Sequence, residues 1–148
     1  MRRICPSLRI WKKGLATRRK SWPKRIRLAA EVGLVGCTIE DATGDQGSPL
    51  YDVRLAVERI AAAAQAARLP FPFILTARAH NFLYAAPRLD ETISRLQAFE
   101  KAGADVLFAP GLPDLAAVSA VCAAVSKPVN FMVGIKGKSF SVGNRGRG

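Results

Sequence analysis

Four side chains in this sequence sit where barrel and sheet enzymes commonly do chemistry. The run Val35-Gly-Cys-Thr-Ile-Glu-Asp41 reads as a buried strand that ends on two carboxylates, Glu40 and Asp41. Two carboxylates at the C-terminal end of a strand can hold a hard divalent cation, directly or through water. The same pair could instead cap a loop (Asp41) and form a local ion pair (Glu40), and spacing alone does not separate the two readings. A second run, Thr76-Ala-Arg-Ala-His80, ends on a guanidinium and on the chain's one histidine. A guanidinium aimed into a concave site suits bidentate capture of a carboxylate or phosphonate. Arg78 could otherwise pair with a nearby carboxylate such as Glu40. Residues i and i+2 share a strand face, so Thr76, Arg78 and His80 are expected to point the same way. A lone histidine is more often a loop residue than a catalyst. A third run, Ala104 to Gly111, repeats the apolar strand followed by a functional turn.

Something must carry these strand ends. Residues 26–32 read as the end of an amphipathic helix stopped by Gly33. A strand over Leu34–Ile39 and a Gly/Asp/Ser-rich loop over Ala42–Pro49 follow. Apolar residues at helical spacing (Val53, Ala56, Val57, Ile60, Ala61, Ala64) then predict a helix over Leu50–Ala67. Arg54 and Glu58 stand i,i+4 on another face. The plan repeats as a strand over Phe71–Ala77, a loop over Asn81–Arg88 and a helix over Leu89–Ala102 with Ile93, Leu96 and Phe99 inward. A strand over Ala104–Ala109, a helix over Pro113–Val125 and a strand over Pro128–Val133 complete the pattern. Each strand is a continuous apolar run, which favours a parallel sheet covered by helices. A doubly wound sheet and a (β/α)8 TIM barrel both fit. The barrel is favoured because polar residues gather at several strand C-termini. About four parallel βα units make half of one, and an open half-barrel exposes strand edges and an apolar inner face.

The 148 residues are enough for one domain with a real core, and 49% of them are hydrophobic. The net charge of +12 is unevenly placed. Residues 1–27 hold eleven basic side chains and no acid, and residues 135–148 hold four more, again without an acid. The segment between them carries all eleven acids and a net charge of −3. This asymmetry marks basic ends around a mildly acidic body. The basic N-terminal segment, with Trp11 and Trp22, could bind nucleic acid or an anionic surface by charge and stacking. No helix-turn-helix, zinc or RNP pattern supports that alternative. Gly134–Ser139 resembles the end of a P-loop, but the pattern needs glycine where Met132 stands. Cys5, Cys37 and Cys122 form no C-x-x-C pair, and Cys37 and Cys122 read as buried, reduced thiols of a cytoplasmic protein. No apolar run approaches a membrane span.

At Ile39-Glu40-Asp41, Thr76-Ala77-Arg78 and Ala102–Gly111, continued by Pro128–Gly134, the chain resembles the isocitrate lyase / phosphoenolpyruvate mutase family. The resemblance covers about residues 26–142. It implies a (β/α)8 barrel that binds Mg²⁺ and cleaves or forms C–C or P–C bonds of small 2-oxo or 2-hydroxy acids, usually in a homo-oligomer. By the same resemblance Glu40 helps hold Mg²⁺, usually through water, with Asp41 beside it as the second metal candidate. Arg78 binds the carboxylate or phosphonate of the substrate, His80 is a further substrate-binding candidate, and the loop 42–52 gates the site. The family's aspartate pair, its serine-containing first strand, its Lys/Cys/His catalytic loop and its last strand have no counterpart in this sequence. The expectation is therefore a truncated and impaired member. Its first 23 or so residues, and its tail after about 142, are expected to be out-of-frame translation. The domain plan is a basic segment at 1–25, the partial barrel at 26–142 and a basic tail at 143–148.

Overall fold

A computed structural model describes residues 22–68, 72–84 and 88–132. Most of the basic segment, the tail and the P-loop-like stretch lie outside them. The described residues form helix α1 (Trp22–Glu31), strand β1 (Gly36–Glu40), helix α2 (Val53–Ala66) and strand β2 (Ile74–Arg78). A short helix α3 (Asn81–Tyr84), helix α4 (Leu89–Lys101), strand β3 (Val106–Phe108), helix α5 (Leu115–Ala124) and strand β4 (Val129–Asn130) follow.

The helix limits have local causes. Gly33, at φ 85°, ends α1 while its own N–H bonds Ala30 O and the Leu34 N–H bonds Ala29 O. Gly103, at φ 101°, ends α4, and a Cβ there would stand 2.9 Å from the Ala64 methyl. That glycine therefore both turns the chain and lets α2 approach. Asp52 caps α2 by accepting from the Arg54 N–H at 2.9 Å. Asp114 caps α5 by accepting from the Ala117 N–H at 2.8 Å. Replacing Asp114 by Ala should lower stability by about 1 kcal/mol, read as a shift of the urea midpoint without a change of slope.

The four strands are parallel and lie in the order β1-β2-β3-β4. Sequential order matters. Right-handed crossovers between neighbouring parallel strands place every intervening helix on the same side of the sheet. A doubly wound sheet would reverse its order partway, and no reversal occurs among the described strands. The sheet is thus a singly wound arc of the barrel type. Its register aligns Ile39, Ala77, Leu107 and Val129 in one row and Glu40, Arg78, Phe108 and Asn130 in the next. The first row turns toward the helices. Ile39, Leu75, Ala77 and Leu107 are buried there against Ile60, Ala63, Leu96, Phe99 and Val121. The second row belongs to the opposite face, on which Ile74 is 46% exposed while Phe108 is buried.

Two expectations need correction. Asn81–Tyr84, read as loop, is a single helical turn; Asn81 is fully buried and its amide donates to Thr92 Oγ1. Cys122, expected to be buried, is exposed. Helix α5 is apolar all round, and its buried residues are Ala117 and Val121, so Cys122 falls about 100° away from that stripe. Cys37 is partly buried, and its desolvation pushes the thiol up to about 11. No described helix is long and apolar enough to cross a membrane.

Candidate active site

Strand alternation separates the two carboxylates. Adjacent residues of an extended chain point to opposite faces, so Glu40 looks onto the open face and Asp41 into the helix layer. Asp41 is 1% exposed. Its Oδ1 accepts from the His80 N–H at 2.8 Å, and its Oδ2 pairs with Arg95 Nη1 of α4 at 3.2 Å. Burial pushes its carboxyl above the usual range, opposed by the His80 N–H and the Arg95 charge. Both oxygens are engaged, so Asp41 is a brace of the rim rather than the second metal candidate expected beside Glu40.

Glu40, Arg78 and His80 do converge. Arg78 Nη1 lies 3.9 Å and His80 Nε2 3.4 Å from Glu40 Oε2. The Arg78 guanidinium sits over the Phe108 ring, 4.8 Å from its centroid, which holds its plane. Its Nε finds no hydrogen-bond partner, and neither do both ring nitrogens of His80, a residue only 4% exposed. The His80 ring stacks on Tyr84 at 5.9 Å between centroids. Desolvation, followed by the nearby Arg78 charge, pulls the His80 imidazole down to about 4. It is therefore neutral at pH 7; as expected it stands in the connection between β2 and α3.

That shift has a consequence for stability. Between pH 6.5 and 4 the unfolded chain binds a proton at residue 80 that the folded chain does not. The contribution of His80 is full above pH 6.5 and is lost as pH falls toward 4, up to about 3 kcal/mol. Urea midpoints at pH 7 and pH 4.5 should show this loss, and His80→Asn should flatten the slope by close to one proton.

Three participants escaped sequence reading. Arg95 braces Asp41 and also donates to Tyr51 O at 3.4 Å. Arg59 of α2, 3% exposed, donates to Glu40 O at 3.1 Å and lies over the Tyr51 ring at 4.2 Å. Asn130 reaches the rim through the register alone. The loop 42–50 is closed at its base: Tyr51 N–H bonds Asp41 O, Thr43 N–H bonds Pro49 O, and Ala42 bridges Leu50.

The donor set bears on a divalent cation. Among the described residues no three of His, Cys, Asp and Glu gather closely enough to hold a metal. Mg²⁺, however, ordinarily takes one or two carboxylates and completes its shell with water and substrate oxygens. Glu40 suits that role, being a single rim carboxylate 28% exposed and touched by Arg78 and His80 only at ion-pair distances.

A parallel, singly wound sheet with a carboxylate, a guanidinium and an imidazole at its strand C-termini places polar groups where barrel-type enzymes carry their chemistry. The chain belongs to the phosphoenolpyruvate phosphomutase family, whose model matches residues 11–144. That match begins ahead of the boundary expected near residue 26. The family is one of lyases and mutases. Among solved structures, a Burkholderia cenocepacia J2315 protein provisionally assigned as a lyase/mutase is 52% identical (TM-score 0.81), the alignment covering 84% of this chain and 45% of that one. A 2,3-dimethylmalate lyase of the PEP mutase/isocitrate lyase superfamily is 25% identical (TM-score 0.72; 86% and 45% covered). A phosphonopyruvate hydrolase solved with oxalate and Mg²⁺ is 26% identical (TM-score 0.65; 75% and 40% covered). The chain thus spans less than half the length of these relatives. No curated protein matches it.

Proposed function

We propose that the chain carries part of the site of a Mg²⁺-dependent lyase or phosphonomutase-type enzyme acting on a C–C or P–C bond of a small 2-oxo or 2-hydroxy acid. The convergence of Glu40, Arg78 and His80 on the face opposite the main helix layer, at the C-terminal ends of β1 and β2, carries this reading. Arg78 binds and orients the carboxylate or phosphonate of the substrate, with its plane held by Phe108. Glu40 would hold Mg²⁺, most simply through water; when bound, the cation supplies charge to offset an enolate-like oxyanion. Neutral His80 offers a hydrogen bond from one ring nitrogen and can accept one at the other. The relatives acting on phosphonopyruvate and dimethylmalate support the substrate class. A cytoplasmic homo-oligomer belongs to the same reading. The nucleic-acid alternative rests on a segment mostly outside the described residues, and nothing at the rim favours it.

Calorimetric titration of oxalate into the chain with Mg²⁺ present tests this reading. Stoichiometric binding that disappears with EDTA is the expected outcome. Failure to bind oxalate, phosphonopyruvate or 2,3-dimethylmalate with Mg²⁺ would refute it.

A further inference from the structure

The ring nitrogens of His80 are buried and make no hydrogen bond, although Nε2 approaches Glu40, and such atoms call for an explanation. The His80 ring stacks on Tyr84, and its backbone is tied down by the N–H bond to Asp41. Its Nε2 is held 3.4 Å from Glu40 Oε2. Two donors on one octahedral or tetrahedral ion, each bound at about 2.1 Å, stand roughly 3 Å apart. The observed pair is within a few tenths of an ångström of that separation; Glu40 is 28% exposed, whereas Nε2 itself is buried, so an ion would enter from the Glu40 side.

We propose that His80 Nε2 and Glu40 Oε2 form a two-donor chelate that takes a first-row transition ion such as Co²⁺ in preference to Mg²⁺. Imidazole nitrogen favours such ions, whereas Mg²⁺ favours an all-oxygen shell. The remaining positions fall to water and to the oxygens of a bound oxyacid. Arg78, 3.9 Å from the same Glu40 oxygen, opposes a bare cation. A substrate anion bridging guanidinium and metal removes that opposition, so metal and oxyacid are expected to bind synergistically. The chelate rests on the proposed function in one respect, the assignment of Glu40 as the metal-holding carboxylate.

His80 is the only histidine of the chain, so its ring signals are unambiguous in untagged protein. Co²⁺ and Mg²⁺ should each be titrated, alone and with oxalate, by calorimetry and by proton NMR of the imidazole. The expected results are paramagnetic shifts of the His80 ring protons on adding Co²⁺ and an affinity for Co²⁺ at least about tenfold above that for Mg²⁺. His80→Gln should lower Co²⁺ affinity roughly tenfold or more and leave Mg²⁺ unchanged. Co²⁺ binding that leaves the His80 signals in place, or an equal loss for both ions in the variant, would overturn the chelate. If His80→Gln fails to fold, the wild-type NMR readout decides alone. Oxalate binding with Mg²⁺ but no response of His80 to Co²⁺ sinks the chelate and leaves the proposed function standing. A His80 response to Co²⁺ without any oxyacid binding does the reverse.

Discussion

Asp41→Ala is expected to destabilise the chain by about 3–5 kcal/mol, a large share of the stability of a domain this size. The carboxylate is 0% exposed at its side chain and meets a guanidinium that is itself only 11% exposed. Removing it leaves Arg95 to Glu91, at 3.3 Å and half in solvent, and to one long bond with Tyr51 O. A buried charge stripped of its partner costs more than the pair contributes. The His80 N–H loses its acceptor as well. Asp41→Asn should cost less, because an amide oxygen can still accept from that N–H. The double variant Asp41→Leu with Arg95→Met should recover much of the loss, since an apolar pair leaves no orphan. Urea midpoints of the single and double variants check this. A loss under 1 kcal/mol for Asp41→Ala would show that the pair is not the brace described.

Arg78→Ala should weaken oxalate binding about 100-fold while leaving the urea midpoint nearly unchanged. The affinity figure follows from cutting one partner out of a largely buried charge-assisted contact, worth about 3 kcal/mol. Stability should hardly move because the only ion pair of Arg78 among the described residues is the 3.9 Å approach to a partly exposed Glu40. Arg78→Lys keeps the charge but loses both the fork and the flat stack on Phe108, so it should recover only a minor part of the affinity. In Arg78→Ala the His80 imidazole should also titrate higher than about 4, since the Arg78 charge is one of the two causes depressing it. Calorimetry and histidine NMR on the same samples read both effects. Unchanged oxalate affinity in Arg78→Ala would remove Arg78 from the site.

Much of the architecture was legible because the apolar runs have strand length and the intervening stripes have helical period. Leu96, Phe99 and Ile60 were expected inside and are buried. The rim was legible in part. Thr76-Ala-Arg-Ala-His80 announces a strand that ends in chemistry, and Arg78 and His80 do lie together with Glu40. The divergence of Glu40 and Asp41 was also implicit, since neighbours in an extended chain cannot share a face; reading them as one metal pair ignored that alternation. Arg59 and Arg95 were not legible. A buried arginine in an amphipathic helix looks like a surface one until the acid or carbonyl it reaches is placed by the tertiary fold. Asn130 was hidden for a related reason: only the pairing of β3 with β4 aligns it with Arg78.

The face-to-face division at the end of β1 carries a constraint on how this gene can vary. Losing one codon between residues 36 and 39 would invert the side chains of the strand end beyond it, driving Glu40 into the apolar layer and stranding Asp41 in water, away from Arg95. Losing two would shorten the strand yet preserve its polarity. Length changes in this family should therefore be excluded from β1 in odd steps and gather instead in the neighbouring loop around Gly44–Ser48, whose side chains are exposed.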